Sequence, residues 1–94
     1  MRALVLTPKF KKAYSRYVRR DRRLQDRMEE TLRQMQADVY ASSLHSHKLS
    51  GKLSELWACS CGYDCHIVFA IEGDPETSQE VLVLLDIGRH DEVY

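Results

Sequence analysis

The sequence has little of what marks a secreted, membrane-spanning or disordered chain. It holds only two prolines, four glycines and no low-complexity tract, and its 44% hydrophobic residues suffice for a folded core. Its longest apolar runs, ALVL and VLVLL, are far shorter than the roughly 20 residues of a membrane helix. No secretory signal pattern is present at the N-terminus. We therefore expect a single domain over residues 1–94, cytoplasmic and without a membrane partner.

Cysteine is also scarce, and its three residues are clustered. Cys59, Cys61 and Cys65 lie within seven positions, and an odd number does not suit a domain stapled by disulfides. With His66 they make up four residues of the types that zinc accepts. The spacing argues against zinc. In a strand, C-x-C places its two thiols on one face, whereas the consecutive residues Cys65 and His66 point to opposite faces. We expect small buried cysteines in a hairpin, with no metal and no cofactor.

Each half of the chain is poor in charge of one sign, although the net charge is zero. Residues 1–50 hold 12 lysines and arginines against 5 acids, whereas residues 51–94 hold 2 against 9. The basic half is where an anionic partner, most simply nucleic acid, would be attracted. A solvated face of basic helices explains the same charges without a partner.

The N-terminal half is expected to form a strand and a helical hairpin. Residues 2–6 suit a short strand, and Thr7 and Pro8 then offer an N-cap oxygen and the preset φ of a first helical position. Asp21 is placed to cap a second helix. Apolar side chains recur at helical spacing at Phe10, Tyr14, Tyr17 and Val18, and again at Leu24, Met28, Leu32, Met35 and Val39.

The C-terminal half is expected to be a loop followed by strands. Residues 41–52 have serines, a glycine and two histidines without a sustained period, which favours a loop. Residues 53–60, 64–72 and 80–87 are apolar and β-branched, with turn-forming CGY and GDPETSQ between them. The predicted order is β-α-α-β-β-β, an α+β fold in which the helical hairpin covers one face of an antiparallel three-stranded meander.

Alternation along the middle strand assigns its two faces. In DCHIVFAI, the side chains from Cys65 to Ile71 at every second position form the better core face. Asp64 and His66 then point to the less covered face of the sheet, where a site could be built.

Four histidines supply side chains that titrate near neutral pH: His45, His47, His66 and His90. For each of them alone, a surface or structural role is the better explanation. A meander can nevertheless bring the entry loop, the middle strand and the C-terminal tail to the same edge, which would gather three of them.

Three stretches resemble a known family. LHSHKLSGKL, the strand GYDCHIVFAI and above all the C-terminal LLDIGRHDEVY are similar to the RelE/ParE superfamily of toxins from bacterial toxin-antitoxin modules. The similarity is greatest to its RelE and YafQ branch of ribosome-dependent mRNA endonucleases. It covers nearly the whole chain, although the helices match only in pattern. It implies a RelE-like fold and a concave cleft in which mRNA is cut in the ribosomal A site.

The resemblance also implies roles for individual residues. His90 is expected to be the main acid/base residue, with His47 or His66 as its counterpart, and Asp64 would orient or polarise a histidine. Tyr94 is expected to stack on a base or position the scissile nucleotide.

Phosphates would be held by Arg89, Lys48 and Lys52. Two features depart from the family. The strand LWACSC lacks the lysines of RelE-like members, and Asp86 stands where YafQ-like members have an arginine. The loop could present His45 instead of His47, and the resemblance favours His47.

The implied reaction needs no metal. The substrate 2′-OH attacks the adjacent phosphate and gives a 2′,3′-cyclic end and a 5′-OH, which requires a base, a cation and an acid. The implied partners are mRNA, the ribosome and a cognate antitoxin. A ParE-like inhibitor of DNA gyrase and a non-catalytic, antitoxin-binding member share the fold, and the terminal GRHDEVY favours the nuclease.

Overall fold

A computed structural model describes residues 2–49, 55–62 and 65–89 of the chain. The elements in chain order are β1 (Ala3–Leu6), α1 (Pro8–Tyr17), α2 (Arg22–Ala37), a 3₁₀ turn (Ser42–Leu44), β2 (His47–Lys48), β3 (Trp57–Gly62), β4 (Cys65–Gly73) and β5 (Glu80–Gly88). The α+β class and the expected order are confirmed, with β2 as an additional strand.

The strands form one mixed sheet in the order β1-β5-β4-β3-β2. Strands β3, β4 and β5 pair antiparallel, as the predicted meander requires. Strand β1 pairs parallel with β5, from Ala3 against Val81 to Leu6 against Leu84. Strand β2 pairs antiparallel with β3. The sheet is therefore five-stranded, because the meander is extended at both edges.

The predicted boundaries around β3 were wrong. Residues 41–49, expected to be loop, include the 3₁₀ turn and β2, and the Leu49 N–H donates to the Leu56 carbonyl where β2 approaches β3. Strand β3 begins at Trp57, since Glu55 lies in a turn and Leu56 in no regular element, while residues 53–54 fall outside the described ranges. The strand continues through Gly62, which the sequence pattern had assigned to a turn.

Both helices begin at the caps that the sequence predicts. The Thr7 hydroxyl accepts a hydrogen bond from the Phe10 N–H at 3.2 Å and donates to the Leu84 carbonyl at 2.8 Å, which ties α1 to β5. The Asp21 carboxylate accepts from the Leu24 N–H at 3.0 Å. Among the described residues, no helix is long and apolar enough to cross a membrane.

Both helices pack on the sheet face that carries Ile67 and Phe69. The predicted core face of β4 is confirmed, with Cys65, Ile67 and Phe69 at most 1% exposed. The residues of the core cluster are Phe10, Ala13, Met28, Met35, Val39, Leu44, Cys59, Cys61, Cys65, Ile67, Phe69, Leu82, Leu84 and Ile87. The opposite face of the sheet, here called the open face, is where the sequence predicts a site.

Candidate functional site

His66 lies on the open face near one end of the sheet. It pairs with Ser60 on β3 and with Gly88, the last residue of β5. Its neighbours in the chain, Cys65 and Ile67, are buried against the helices, so the alternation of the strand directs the imidazole away from the core. The side chain is half-buried.

His47 lies on the same face, one row away. It pairs with Ala58 on β3, and Ala58 and Ser60 are two residues apart and share a face. His47 and His66 are therefore diagonal neighbours across β3, with Cα atoms separated by two strand spacings and two residues, roughly 12 Å. That separation prevents direct contact but lets both imidazoles reach toward a group bound between them.

The backbone of the preceding turn selects the tautomer of the neutral His47 ring. Its Nδ1 lies 3.0 Å from the His45 carbonyl oxygen. Because a carbonyl only accepts, Nδ1 carries the proton, and in the neutral ring Nε2 holds the lone pair. His45 has a left-handed backbone with φ 51°, and its N–H donates to the Ser42 carbonyl. The turn therefore orients His47 with Nε2 as a proton acceptor.

Arg89 follows β5 and lies beside α1. With Ala13, Arg16, Tyr17 and Ile87 it lines a cavity of about 300 Å³. Arg16 also lines a neighbouring cavity of about 450 Å³, whose other lining residues are Lys12, Ser15 and Arg19.

The cations Lys12, Arg16, Arg19 and Arg89 thus form one α1 basic surface, because Arg16 belongs to both cavities. In the sequence, Arg89 is far from the cations of the helices, and no pattern joins them. The positive charge of α1 was the available signal, but only the packing of α1 on β5 shows that the two groups meet.

Lys48 lies apart from the histidines. Its cross-strand partner Trp57 stacks on the core residue Phe69, with ring centroids 6.4 Å apart, and Lys48 Nζ lies 5.7 Å from the Trp57 ring centroid. Consecutive residues of a strand point to opposite faces, so Lys48 and His47 do not share one. The phosphate-binding role predicted for Lys48 would require its ammonium to leave the tryptophan ring.

Asp86, one of the two departures from the family that the sequence shows, is paired with a cation. It lies opposite Val68 on β4, two residues from His66, and its Oδ2 is 3.5 Å from Lys9 Nζ. Lys9 thus brings a positive charge to this end of β5, although a pair so exposed is weak.

A disulfide closes the hairpin between β3 and β4. Cys61 and Cys65 are bonded, with Cα atoms 5.1 Å apart. The pairing register shifts between Ser60 and Gly62, so Cys61 is the extra residue of a bulge and Gly62 lies opposite Cys65. The cysteines are buried, as expected, but the argument from their odd number against a disulfide was wrong for this pair. The regular alternation of side chains along a strand does not predict the bulge that brings Cys61 close to Cys65.

Cys59 is the free thiol and lies in the core. Its Sγ is 3.8 Å from the Met35 sulfur, and burial raises the pKa of the thiol to about 12. In the part of the chain that the structure describes, no group of three or more His, Cys, Asp or Glu side chains is arranged to hold a metal ion.

Four of the predicted site residues, namely Lys52, Asp64, His90 and Tyr94, lie outside the described residues. Their roles stay predictions.

A comparison with protein families identifies a relationship along nearly the whole chain. A family model described as "Bacterial toxin of type II toxin-antitoxin system, YafQ" matches residues 2–94. No curated protein sequence matches the chain.

Solved structures of toxins share the fold. The YoeB/ParE toxin from Agrobacterium tumefaciens superposes with a TM-score of 0.75 and 19% identity, over 94% of this chain and 98% of that one. YafQ from E. coli strain BL21(DE3) gives 0.73 at 9% identity, over 100% and 99% of the two chains. A chain of the E. coli DinJ-YafQ complex gives 0.71 at 10% identity over 100% and 99%. At these identities the likeness establishes the fold.

Proposed function

Since the chain belongs to the YafQ family of toxins from bacterial type II toxin-antitoxin systems, we propose that it is a ribosome-dependent endoribonuclease that cuts mRNA and so stops translation in the cytoplasm. The observation that supports this most directly is the placement of His47 and His66 in adjacent rows of the open face. Imidazoles that flank one bound group can take up and release protons at neutral pH.

His47 is the proposed base. Its Nδ1 proton is engaged by the His45 carbonyl, so Nε2 is the atom that takes the proton of the attacking 2′-OH. His45 contributes its backbone carbonyl to this arrangement, so only His47 of the two loop histidines is proposed to transfer a proton.

His90 is the proposed main acid, which protonates the leaving 5′ oxygen, and His66, the cross-strand partner of Gly88, is the described histidine on this end of the sheet. His90 follows Gly88 by two positions in sequence. Asp64 is assigned to orient or polarise His66, and Tyr94 to position the scissile nucleotide.

The developing phosphorane charge needs cations. Arg89 is the first candidate because it directly follows Gly88, the cross-strand partner of His66. To reach the open face, its side chain would have to leave the cavity beside α1. Further candidates are Lys48 on β2, whose ammonium would have to leave the Trp57 ring, and Lys52. The rest of the α1 basic surface, Lys12, Arg16 and Arg19, is proposed to dock on ribosomal RNA.

The antitoxin is the proposed inhibitory partner. The structure of the E. coli DinJ-YafQ complex has a chain of the same fold, and the family is that of type II toxin-antitoxin systems. A protein that covers the open face would hide both histidines and silence the toxin.

Primer extension on a defined mRNA in a purified translation system tests the nuclease. Wild-type protein is expected to cut at A-site codons, and His90→Ala, His66→Ala and His47→Ala to cut about 10²- to 10⁴-fold more slowly. His45→Asn is the matched control. Asparagine tolerates the left-handed backbone and keeps the carbonyl, so its rate should stay within severalfold of wild type.

Three results would change the proposal. Rates within severalfold of wild type for both His90→Ala and His66→Ala would show that the assignment of acid and base is wrong. Wild-type protein that makes no cuts but causes DNA breaks in a gyrase assay would favour the ParE-like alternative. Neither cuts nor breaks would leave a protein that only binds its antitoxin.

A further inference from the structure

The Cys61–Cys65 disulfide encloses the end of the hairpin on which His66 is presented. Ser60 and His66 are cross-strand partners, Cys61 directly follows Ser60, and Cys65 directly precedes His66. The disulfide lies on the helix side of the sheet while His66 lies on the open face. The disulfide therefore restricts the separation of β3 and β4 next to the Ser60 and His66 pair.

The geometry favours oxidation of this pair over any other pairing of the three cysteines. The bulge brings Cys61 opposite Cys65, with Cα atoms 5.1 Å apart, a separation suited to a disulfide. Cys59 is turned toward Met35 instead. In a reducing cytoplasm a disulfide is ordinarily transient and catalytic or redox-sensing. Two cysteines placed to form a disulfide in that compartment therefore suggest a redox function.

We propose that Cys61 and Cys65 are a reversible oxidation site, oxidised by low-molecular-weight disulfides such as glutathione disulfide, and that the oxidised protein is the more active toxin. The second half of this inference rests on the proposed nuclease function. Closure of the bond fixes the register beside His66, and reduction frees the two strands to part at that end.

The exchange balances in two steps. One protein thiolate attacks a sulfur of glutathione disulfide, forms a mixed disulfide and releases one glutathione thiolate. The second protein thiolate attacks the protein sulfur of that mixed disulfide, forms Cys61–Cys65 and releases the second glutathione. Two electrons pass from the protein to glutathione disulfide, and the two thiol protons end on glutathione or in solvent. With Cys61 3% and Cys65 1% exposed, attack requires the hairpin end to open.

Thiol counting tests the oxidation site without reference to activity. The full chain is equilibrated at a series of ratios of reduced to oxidised glutathione, quenched in acid, unfolded, alkylated with N-ethylmaleimide and weighed by mass spectrometry. The expected count is three adducts at the reducing end and one at the oxidising end. Three adducts at every ratio, or a persistent glutathione adduct in place of the internal bond, would overturn the proposal.

Matched variants assign the bond. Cys59→Ala should pass from two adducts to none over the same ratios as wild type. Cys61→Ala and Cys65→Ala, tested separately in case one does not fold, should never lose two thiols together. Internal closure that survives in either of these two would show that Cys59 is a partner, which contradicts the assignment.

Cleavage by the two forms tests the coupling to His66. Oxidised and reduced wild-type protein are compared by primer extension on a timescale shorter than re-equilibration, and the oxidised form should cut at least severalfold faster. Cys61→Ala should not respond to redox state. Equal rates for a wild-type chain whose thiol count changes would refute the coupling. If neither form cuts, the proposed nuclease fails while the thiol count still decides the oxidation site.

Discussion

His66 on β4 lies directly opposite Gly88, the buried last residue of β5. Glycine has no side chain, so position 88 itself adds no Cβ beside the imidazole on the open face. Cross-strand partners have Cβ atoms about 4.5–5.5 Å apart, which means that any side chain at position 88 would stand against His66.

This pairing predicts that Gly88→Ala impairs cleavage more than it impairs folding. A methyl group at position 88 takes up space beside His66 and restricts where the imidazole can lie, and a misplacement of about 1 Å can lower an enzymatic rate by about 10²-fold. Primer extension and urea unfolding measure the two effects. Gly73→Ala is the control, because a Cβ at Gly73 meets nothing within 4 Å. Equal cleavage by the two variants would contradict a role for the His66 and Gly88 pair.

Thr7 is predicted to matter more for stability than an ordinary N-cap. Its hydroxyl both caps α1 and donates to the Leu84 carbonyl on β5, so Thr7→Ala removes two hydrogen bonds and should lower the free energy of unfolding by about 2 kcal/mol. Asp21→Ala removes only an exposed cap and should lower it by about 1 kcal/mol. Thr7→Ser keeps the hydroxyl and serves as the control. Urea unfolding that ranks Asp21→Ala as the more damaging change would contradict this account.

The elements that the sequence predicted well are those that local chemistry determines. The caps at Thr7 and Asp21 and the buried face around Phe69 each follow from a side chain and its near neighbours in the chain. Strand β2 could not be predicted in this way. Two residues, His47 and Lys48, have no period of their own, and they form a strand only because β3 is present to pair with them.

In the candidate site, too, local sequence predicts some features, and others depend on tertiary structure. Alternation along β4 sufficed to place His66 away from the core. The disulfide depends on a bulge at Cys61, which no regular period contains. The meeting of Arg16 with Arg89 depends on where α1 packs across the sheet. Charge counts identify such cations, but only tertiary structure shows which of them share a surface.

The α1 basic surface predicts a charge-dependent affinity for ribosomes. Each phosphate contact that is lost should reduce the slope of log affinity against log salt by about 1, so Arg16→Gln should weaken ribosome binding and flatten its salt dependence. Sedimentation with ribosomes at several salt concentrations measures both. Arg33→Gln is the control, because Arg33 lies on α2 and is already paired with Glu30 at 2.8 Å. Wild-type binding that does not change with salt would exclude this mode of docking.

Reduction of the disulfide should destabilise the fold. For a loop as short as the one between Cys61 and Cys65, chain entropy predicts a loss of about 2 kcal/mol in the free energy of unfolding. Urea unfolding with and without reductant measures it. The double variant Cys61→Ala, Cys65→Ala should show no effect of reductant, and an equal shift in that variant would assign the effect to another part of the chain.

Cys59 predicts a loss of stability in alkali. Burial raises the pKa of its thiol from 9.0 to about 12, so between these values the native state keeps a proton that the unfolded chain releases. Unfolding is then favoured as pH rises: the contribution of Cys59 is complete below about pH 9 and falls by about 2 kcal/mol at about pH 10.5. Tyr14, whose pKa is also raised by burial, adds to the fall in any variant that retains it.

The test therefore compares two proteins. Urea unfolding of oxidised wild type and of Cys59→Ala is measured from pH 8 to 10.5, and over this range wild type should lose about 2 kcal/mol more of its free energy of unfolding. Parallel pH curves would show that the Cys59 thiol is not held neutral by the core.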